Sequence, residues 1–102
     1  MLREDNLDLS RLIRVGLRPV KMEVKSSNIS EAYALVPTRK GEWIRKLLEE
    51  SQWEGSHIPL VVYNNNEIVI MAPHTETNNI EWQIVKQAIQ LAINREVTIR
   101  GD

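Results

Sequence analysis

The fold of this chain is decided by the stretch IPLVVYNNNEIVIM, which spans residues 58–71. Two apolar runs, 58–63 and 67–71, flank three asparagines, and asparagine tolerates the left-handed backbone conformation that a tight turn requires. The stretch therefore predicts a β-hairpin. Because both arms are apolar at nearly every position, we expect the hairpin to occupy the centre of a sheet or to be covered on two faces.

Segments on both sides of the hairpin alternate between helix and strand periodicity. Upstream, the pattern predicts a helix at 8–16, a strand at 20–25, a turn at 26–28, a strand at 32–36 and a helix at about 39–52. Downstream, it predicts a helix at about 79–94 and a short edge strand at 96–100. Asp8 is the expected N-cap of the first helix and Gly16 its end, while Asn78 or Asn79 caps the last helix.

The side chains expected to face the core follow from the same periods. In the strand at 20–25, Val20, Met22 and Val24 alternate with charged residues and are expected to be buried. Trp43 and Trp82 each fall in the first turn of an amphipathic helix, where core packing is the favoured role. Trp53 follows the last regular turn of its helix and is the candidate contact residue, with a place at the edge of the core as the alternative.

The predicted order is αββαββα with a final β-strand, in one domain over residues 1–102. Strands that are adjacent in sequence favour antiparallel pairing, so the fold class is α+β, a two-layer sandwich with a mostly antiparallel sheet. Each half runs strand, turn, strand, then Glu-Trp opening a helix, which is compatible with a ββα pseudo-repeat, although coincidence explains it nearly as well. Residues 1–7 fall outside every predicted element, and their order is left open.

Composition excludes several classes of protein. The chain has no cysteine, which rules out disulfides, a thiol nucleophile and a cysteine-based zinc site. The formal net charge is −1, so bulk electrostatics do not favour a polyanion partner. No apolar run reaches the roughly 18 residues of a membrane helix, and charges among the first eight residues interrupt any signal-peptide core. The first helix is too short to anchor on a membrane, so we expect a cytoplasmic protein with no membrane partner.

The two histidines are the best lead for a chemical site. Pairing Tyr63 with Glu67 in the hairpin would bring His57 and His74 to the same open end of the sheet, with Glu54 and Glu76 nearby. Two imidazoles and a carboxylate could serve as metal ligands or as an acid–base pair. The spacing matches no established ligand pattern, and the common nucleotide-binding and hydrolase motifs are missing, so no catalytic residue, metal or cofactor is predicted.

Positive charge is concentrated in one part of the chain. Residues 11–46 contain nine basic and three acidic residues. If the elements of this segment expose their charges together, they form a basic patch that could follow the phosphates of a nucleic acid. The alternative is an ordinary solvated surface. The residues that would carry the patch are Arg11, Arg14, Arg18, Arg39 and Lys40.

Three hypotheses for the function follow, of which the first is favoured. The apolar arc of the helix at 79–94 is wider than one sheet surface requires, which favours a non-catalytic protein-interaction or regulatory module that binds a protein partner or itself, most simply as a homodimer. A charge at Ile89 or Ile93 is then expected to break the assembly or to unfold the chain. The alternatives are a nucleic-acid-binding regulator that uses the basic patch and a small enzyme or metal protein built on the two histidines.

Overall fold

Strands adjacent in the chain are also adjacent in the sheet. The computed structural model describes residues 7–51, 53, 55–73 and 78–101, and these form one five-stranded sheet. Neighbouring strands pair antiparallel from the first to the fourth, and the fifth pairs parallel to the fourth because a helix carries the chain back between them. The strands, in sheet order, are β1 (Leu17–Met22), β2 (Ile29–Pro37), β3 (Ile58–Tyr63), β4 (Ile68–Ala72) and β5 (Thr98–Gly101).

The helical elements cover one face of this sheet. The buried core combines residues from every helix with alternate strand residues such as Leu35, Leu60 and Ile70, which share one face. The predicted α+β, mostly antiparallel fold is therefore confirmed. The helical elements are an N-terminal 3₁₀ helix (Ser10–Val15), a 3₁₀ turn (Arg39–Gly41), α1 (Glu42–Glu50) and α2 (Ile80–Ile93).

The hairpin forms as the three asparagines predict. Asn66 adopts a φ of 70°, in the left-handed region. The backbone N–H of Tyr63 donates to the carbonyl of Glu67 at 2.9 Å, and the side chain of Asn65 accepts from the N–H of Glu67 at 3.0 Å. Extending the observed pairing of Leu60 with Ile70 gives the same register. The turn therefore sets which hairpin residues face the helices.

The first strand begins earlier than predicted and presents the opposite face. Gly16 ends the 3₁₀ helix in the left-handed conformation, and β1 starts at the next residue. Leu17 is completely buried, so the strand's alternation turns Val20 and Met22 outward, and both are exposed. The expectation that Val20 and Met22 are buried is wrong. Alternation alone defines two faces, and the packing of Leu17 decides which one points to the core.

Two helix predictions also need correction. The first helix is a 3₁₀ helix, whose repeat of three residues places Leu9 and Leu12 in the core. Asp8 accepts hydrogen bonds from Ser10 but is not the N-cap of this helix. Trp43, expected in the core, is 41% exposed, whereas Trp82 is fully buried as predicted. The ββα order does occur twice along the chain, but the two tryptophans of the apparent repeat occupy different environments.

Candidate interaction surfaces

The outer side of α2 carries a line of exposed aliphatic side chains. Ile80 is 76% exposed, Ile84 49% and Leu91 84%. Their spacing of four and seven residues places them on one side of an α-helix. The opposite side of α2 is the core face, with Trp82, Val85, Ile89 and Ile93. The wide apolar arc seen in the sequence is thus two separate faces, and we call the outer one the α2 stripe (Ile80, Ile84 and Leu91).

A groove adjoins the C-terminal half of this stripe. It lies between α2 and the N-terminal 3₁₀ helix and has a volume of about 350 Å³. Alanine, valine and leucine side chains make most of its wall, and two arginines stand at its rim. The lining residues are Arg11, Arg14, Val15, Ala88, Leu91 and Ala92.

The basic residues occupy two neighbouring elements and one strand. Arg11 and Arg14 are exposed on the 3₁₀ helix, and Arg39 and Lys40 are exposed on the 3₁₀ turn. These two elements touch, because the N–H of Thr38 donates to the carbonyl of Gly16 at 2.8 Å. Four of the five predicted patch residues therefore lie on adjoining elements.

The fifth patch residue lies on a different surface. Arg18 is exposed on β1, one position after the buried Leu17, and its side chain therefore projects to the sheet face that the helices leave open. It pairs with Val36 across β1 and β2. The structure does not bring Arg18 into the group formed by the 3₁₀ helix and the 3₁₀ turn.

The open face of the sheet is apolar at one end and closed by polar side chains at the other. Val20 and Met22 are exposed on β1. At the far end, Arg100 lies 3.1 Å from both carboxylate oxygens of Glu67 and 5.5 Å from the centroid of the Tyr63 ring. Arg100 pairs with Met71 across β4 and β5, whereas Glu67 lies four residues earlier in the chain. To contact Glu67, the Arg100 side chain therefore extends along the sheet past Val69, which is fully buried. The hairpin is thus central in the sheet, and its second face is shielded in part by this ionic cluster.

Trp53 and His57 lie together at the edge of the core. Trp53 is half-buried, its indole N–H donates to the backbone carbonyl of His57 at 2.9 Å, and its ring centroid is 6.5 Å from that of Trp82. The hydrogen bond satisfies the polar atom of the indole, and packing against the core covers part of the ring. His57 is also half-buried, just before β3.

The proposed histidine site extends beyond the described residues. His74, Glu54 and Glu76 lie outside them, so the pairing of the two imidazoles stays a prediction. Within residues 7–51, 53, 55–73 and 78–101, no three His, Asp or Glu side chains are grouped so that they could hold a metal ion.

Burial and local hydrogen bonds shift the pKa values of two groups. Burial raises the pKa of Tyr33 to about 12, and Glu31, which accepts from the Tyr33 hydroxyl at 2.6 Å, adds to the shift. Hydrogen bonds from the hydroxyl and the backbone N–H of Ser10 lower the pKa of Asp8, and the nearby charge of Arg11 acts in the same direction. Asp8 lines a cavity together with Arg11, Ala92, Ile93 and Asn94.

Sequence reasoning did not separate the α2 stripe from the core face. The signal was present in the spacing, since residues 80, 84 and 91 form one line and residues 82, 85, 89 and 93 form another. Reading the helix as one broad apolar arc merged the two lines.

Comparison with known proteins adds no functional information. No family model, no curated protein and no solved structure matches this chain significantly. In the described part of the chain, none of the helices combines the length and the hydropathy needed to span a membrane.

Proposed function

We propose that this protein is a small non-catalytic interaction module that self-associates through the α2 stripe. The observation that carries the proposal is the line of three large aliphatic side chains on a helix whose other side already forms the core. Burying one such side chain completely stabilises an assembly by about 1.5–3 kcal/mol relative to leaving it in water. Large aliphatic side chains exposed together on one surface are typical of interaction sites.

The sheet edges are poor alternatives for association. β1 is an edge strand that carries Pro19, which lacks a backbone N–H, and the exposed Lys21. The other edge, β5, has four residues and ends next to the exposed Arg100. Short strands, proline and outward-facing charges are the features that prevent edge-to-edge pairing of sheets.

The helix surface is favoured over the open sheet face because its side chains are more exposed. Leu91 is 84% exposed, whereas Met22, the most exposed of the open-face apolar residues, is 44% exposed. The gain from covering a side chain grows with the apolar area removed from water. The largest gain per residue is therefore expected at the α2 stripe.

The test is the oligomeric state of the chain and of a Leu91→Glu variant. Sedimentation velocity over roughly 1 µM to 1 mM, a range in which weak biological dimers are populated, should show a monomer–dimer equilibrium for the wild type. Leu91→Glu should shift it strongly toward monomer with little change in unfolding free energy, since the site is exposed and glutamate forms helices well. Ser27→Glu adds the same charge in the exposed turn before β2 and is the matched control.

Ile89 and Ile93 are unsuitable for this test. Both are core residues, so a charge at either one would unfold the monomer and would not report on assembly. A wild-type chain that remains monomeric at about 1 mM would refute self-association. Equal weakening of the dimer by Ser27→Glu and Leu91→Glu would refute the assignment of the interface to α2.

A second candidate function, nucleic-acid binding, is supported by the adjoining positions of Arg11, Arg14, Arg39 and Lys40. It predicts that a labelled oligonucleotide binds the protein and that the affinity falls steeply between 50 and 200 mM salt. The affinity falls because basic side chains that contact phosphates release counterions from the nucleic acid, and added salt opposes this release. Arg39→Glu should weaken this binding, and Lys25→Glu, at an exposed position outside the group of four, is the control. The overall charge of −1 makes this the less favoured candidate.

A further inference from the structure

The two flanks of the α2 stripe differ in charge. One flank contains Glu81, Ala88 and Ala92, which share a side of the helix through spacings of seven and four residues. Its C-terminal part, at Ala88 and Ala92, adjoins Arg11 and Arg14 across the groove, while its N-terminal part carries the exposed Glu81. This flank is therefore acidic at one end and basic at the other.

The other flank carries amide side chains along α2 and two opposite charges, Arg95 and Glu96, beside Leu91 just beyond the end of the helix. Gln87 and Asn94 are exposed there, beside the half-buried Gln90. Gln90 accepts a hydrogen bond from the backbone N–H of Val97 at 2.9 Å, which ties it to the segment that leads into β5. Amide side chains tolerate many neighbours, and the charges of Arg95 and Glu96 are opposite and adjacent, so this flank has no net charge with which to select an orientation of the partner.

The charges of the first flank are available for contacts between copies. Within the described residues, Arg14 and Glu81 form no ion pair, and Arg11 influences Asp8 without a direct ion pair. Glu81 lies in the first turn of α2 and the arginines near its last turns. They are too far apart along one helix to neutralise each other.

Two symmetric arrangements would cover the α2 stripe with a second copy. If the two-fold axis runs along α2, the helices are parallel, and the charged flank of one chain faces the amide flank of the other. If the axis is perpendicular to α2, the helices are antiparallel. The two charged flanks then lie side by side and run in opposite directions. Only the second arrangement places Glu81 of each chain opposite Arg11 and Arg14 of the other.

We propose that the occupant of the α2 stripe is a second copy of this chain with its α2 antiparallel, held in orientation by Glu81 of one chain against Arg11 and Arg14 of the other. The inference rests on the proposed self-association and specifies its geometry. Antiparallel packing also brings Ile80 toward Leu91 of the other chain and opposes the helix dipoles favourably. The aliphatic contacts supply the affinity, and the charges select the orientation.

The experiment is a charge exchange between two variants. Glu81→Arg alone and the double variant Arg11→Glu/Arg14→Glu should each raise the dimer dissociation constant by about tenfold at low salt, because like charges then face each other twice per dimer. An equimolar mixture of the two variants should restore dimerisation to near the wild-type level, since both contacts of the mixed dimer again join opposite charges. Raising the salt should reduce all these differences.

A control mixture makes the result specific. Glu50→Arg changes an exposed charge on α1 and leaves the proposed contacts intact, so by itself it should dimerise like the wild type. In its mixed dimer with the double variant, one of the two contacts still joins like charges, so this mixed dimer should be weaker than that of the charge-exchange pair. Circular dichroism of each variant verifies that the monomers are folded.

The outcomes separate the two proposals. Restoration on mixing supports the antiparallel dimer. A wild-type dimer that Leu91→Glu disrupts, but that shows no restoration in the mixture, overturns the antiparallel geometry and leaves self-association through α2 in place. A monomeric wild type at about 1 mM overturns both.

Discussion

Replacing Gly16 by alanine is expected to lower the unfolding free energy by about 3–6 kcal/mol, because two separate penalties meet at this residue. Gly16 has a φ of 89°, and an L-residue in the left-handed region costs about 1–2 kcal/mol. An added Cβ would also lie 2.6 Å from the carbonyl carbon of Lys40 and closer still to the backbone of Gly41. Moving the backbone at Gly16 away from residues 40–41 costs about 1–3 kcal/mol. The same movement weakens the 2.8 Å hydrogen bond from the Thr38 N–H to the Gly16 carbonyl, which contributes about 0.5–1.5 kcal/mol.

The chain offers a control for each penalty. Gly55 has the same φ of 89°, but a Cβ there would meet only the His57 side chain at 3.5 Å, an ordinary contact. Gly55→Ala should therefore cost only the backbone strain, about 1–2 kcal/mol. Gly41 has an ordinary φ of −99°, but a Cβ there would overlap the backbone of Gly16, so Gly41→Ala should report the steric penalty alone.

Urea unfolding followed by tryptophan fluorescence and circular dichroism measures these costs. The loss of unfolding free energy is expected to be largest for Gly16→Ala and smallest for Gly55→Ala. The double variant of Gly16 and Gly41 should lose less than the two single losses together, because the first methyl group already separates the segments. Equal losses for Gly16→Ala and Gly55→Ala would refute the argument that the 3₁₀ helix and the 3₁₀ turn require close backbone contact.

Two further predictions concern a helix cap and a tyrosine. Asn79→Ala should lower the unfolding free energy measured in urea by about 1 kcal/mol, because the Asn79 side chain accepts from two backbone N–H groups of the first turn of α2, at 2.7 and 3.3 Å. An equal loss for Asn78→Ala would contradict the capping role. Tyr33 should ionise near pH 12, so its contribution to stability is complete below its ordinary pKa of 10 and is lost as the pH rises from 10 to 12. In Tyr63→Phe, Tyr33 is the single tyrosine, and ultraviolet absorbance follows it directly; ionisation at pH 10 in the folded chain would contradict the raised pKa.

Several features of the site could be read from the sequence in outline only. The excess of apolar residues on α2 was visible, but the residues suggested for testing it, Ile89 and Ile93, belong to the core face. The basic residues were visible as a cluster in sequence, but Arg18 projects from the opposite side of the sheet to the helices. Hydropathy reports how many apolar side chains an element has, and three-dimensional packing determines which of them remain uncovered.

The sequence by itself determined the hairpin turn, an asparagine cap of the last helix at residue 78 or 79, the end of the first helix at Gly16 and the order of helices and strands. Each of these depends on backbone preferences and hydrogen bonds within a few residues, so the local sequence carries the information. Only the tertiary structure decided that Leu17 and not Val20 faces the core, and that Trp82 is buried while Trp43 is not. Alternation and helical periodicity define faces but not their direction, and that choice depends on which distant side chains fill the space between the helices and the sheet.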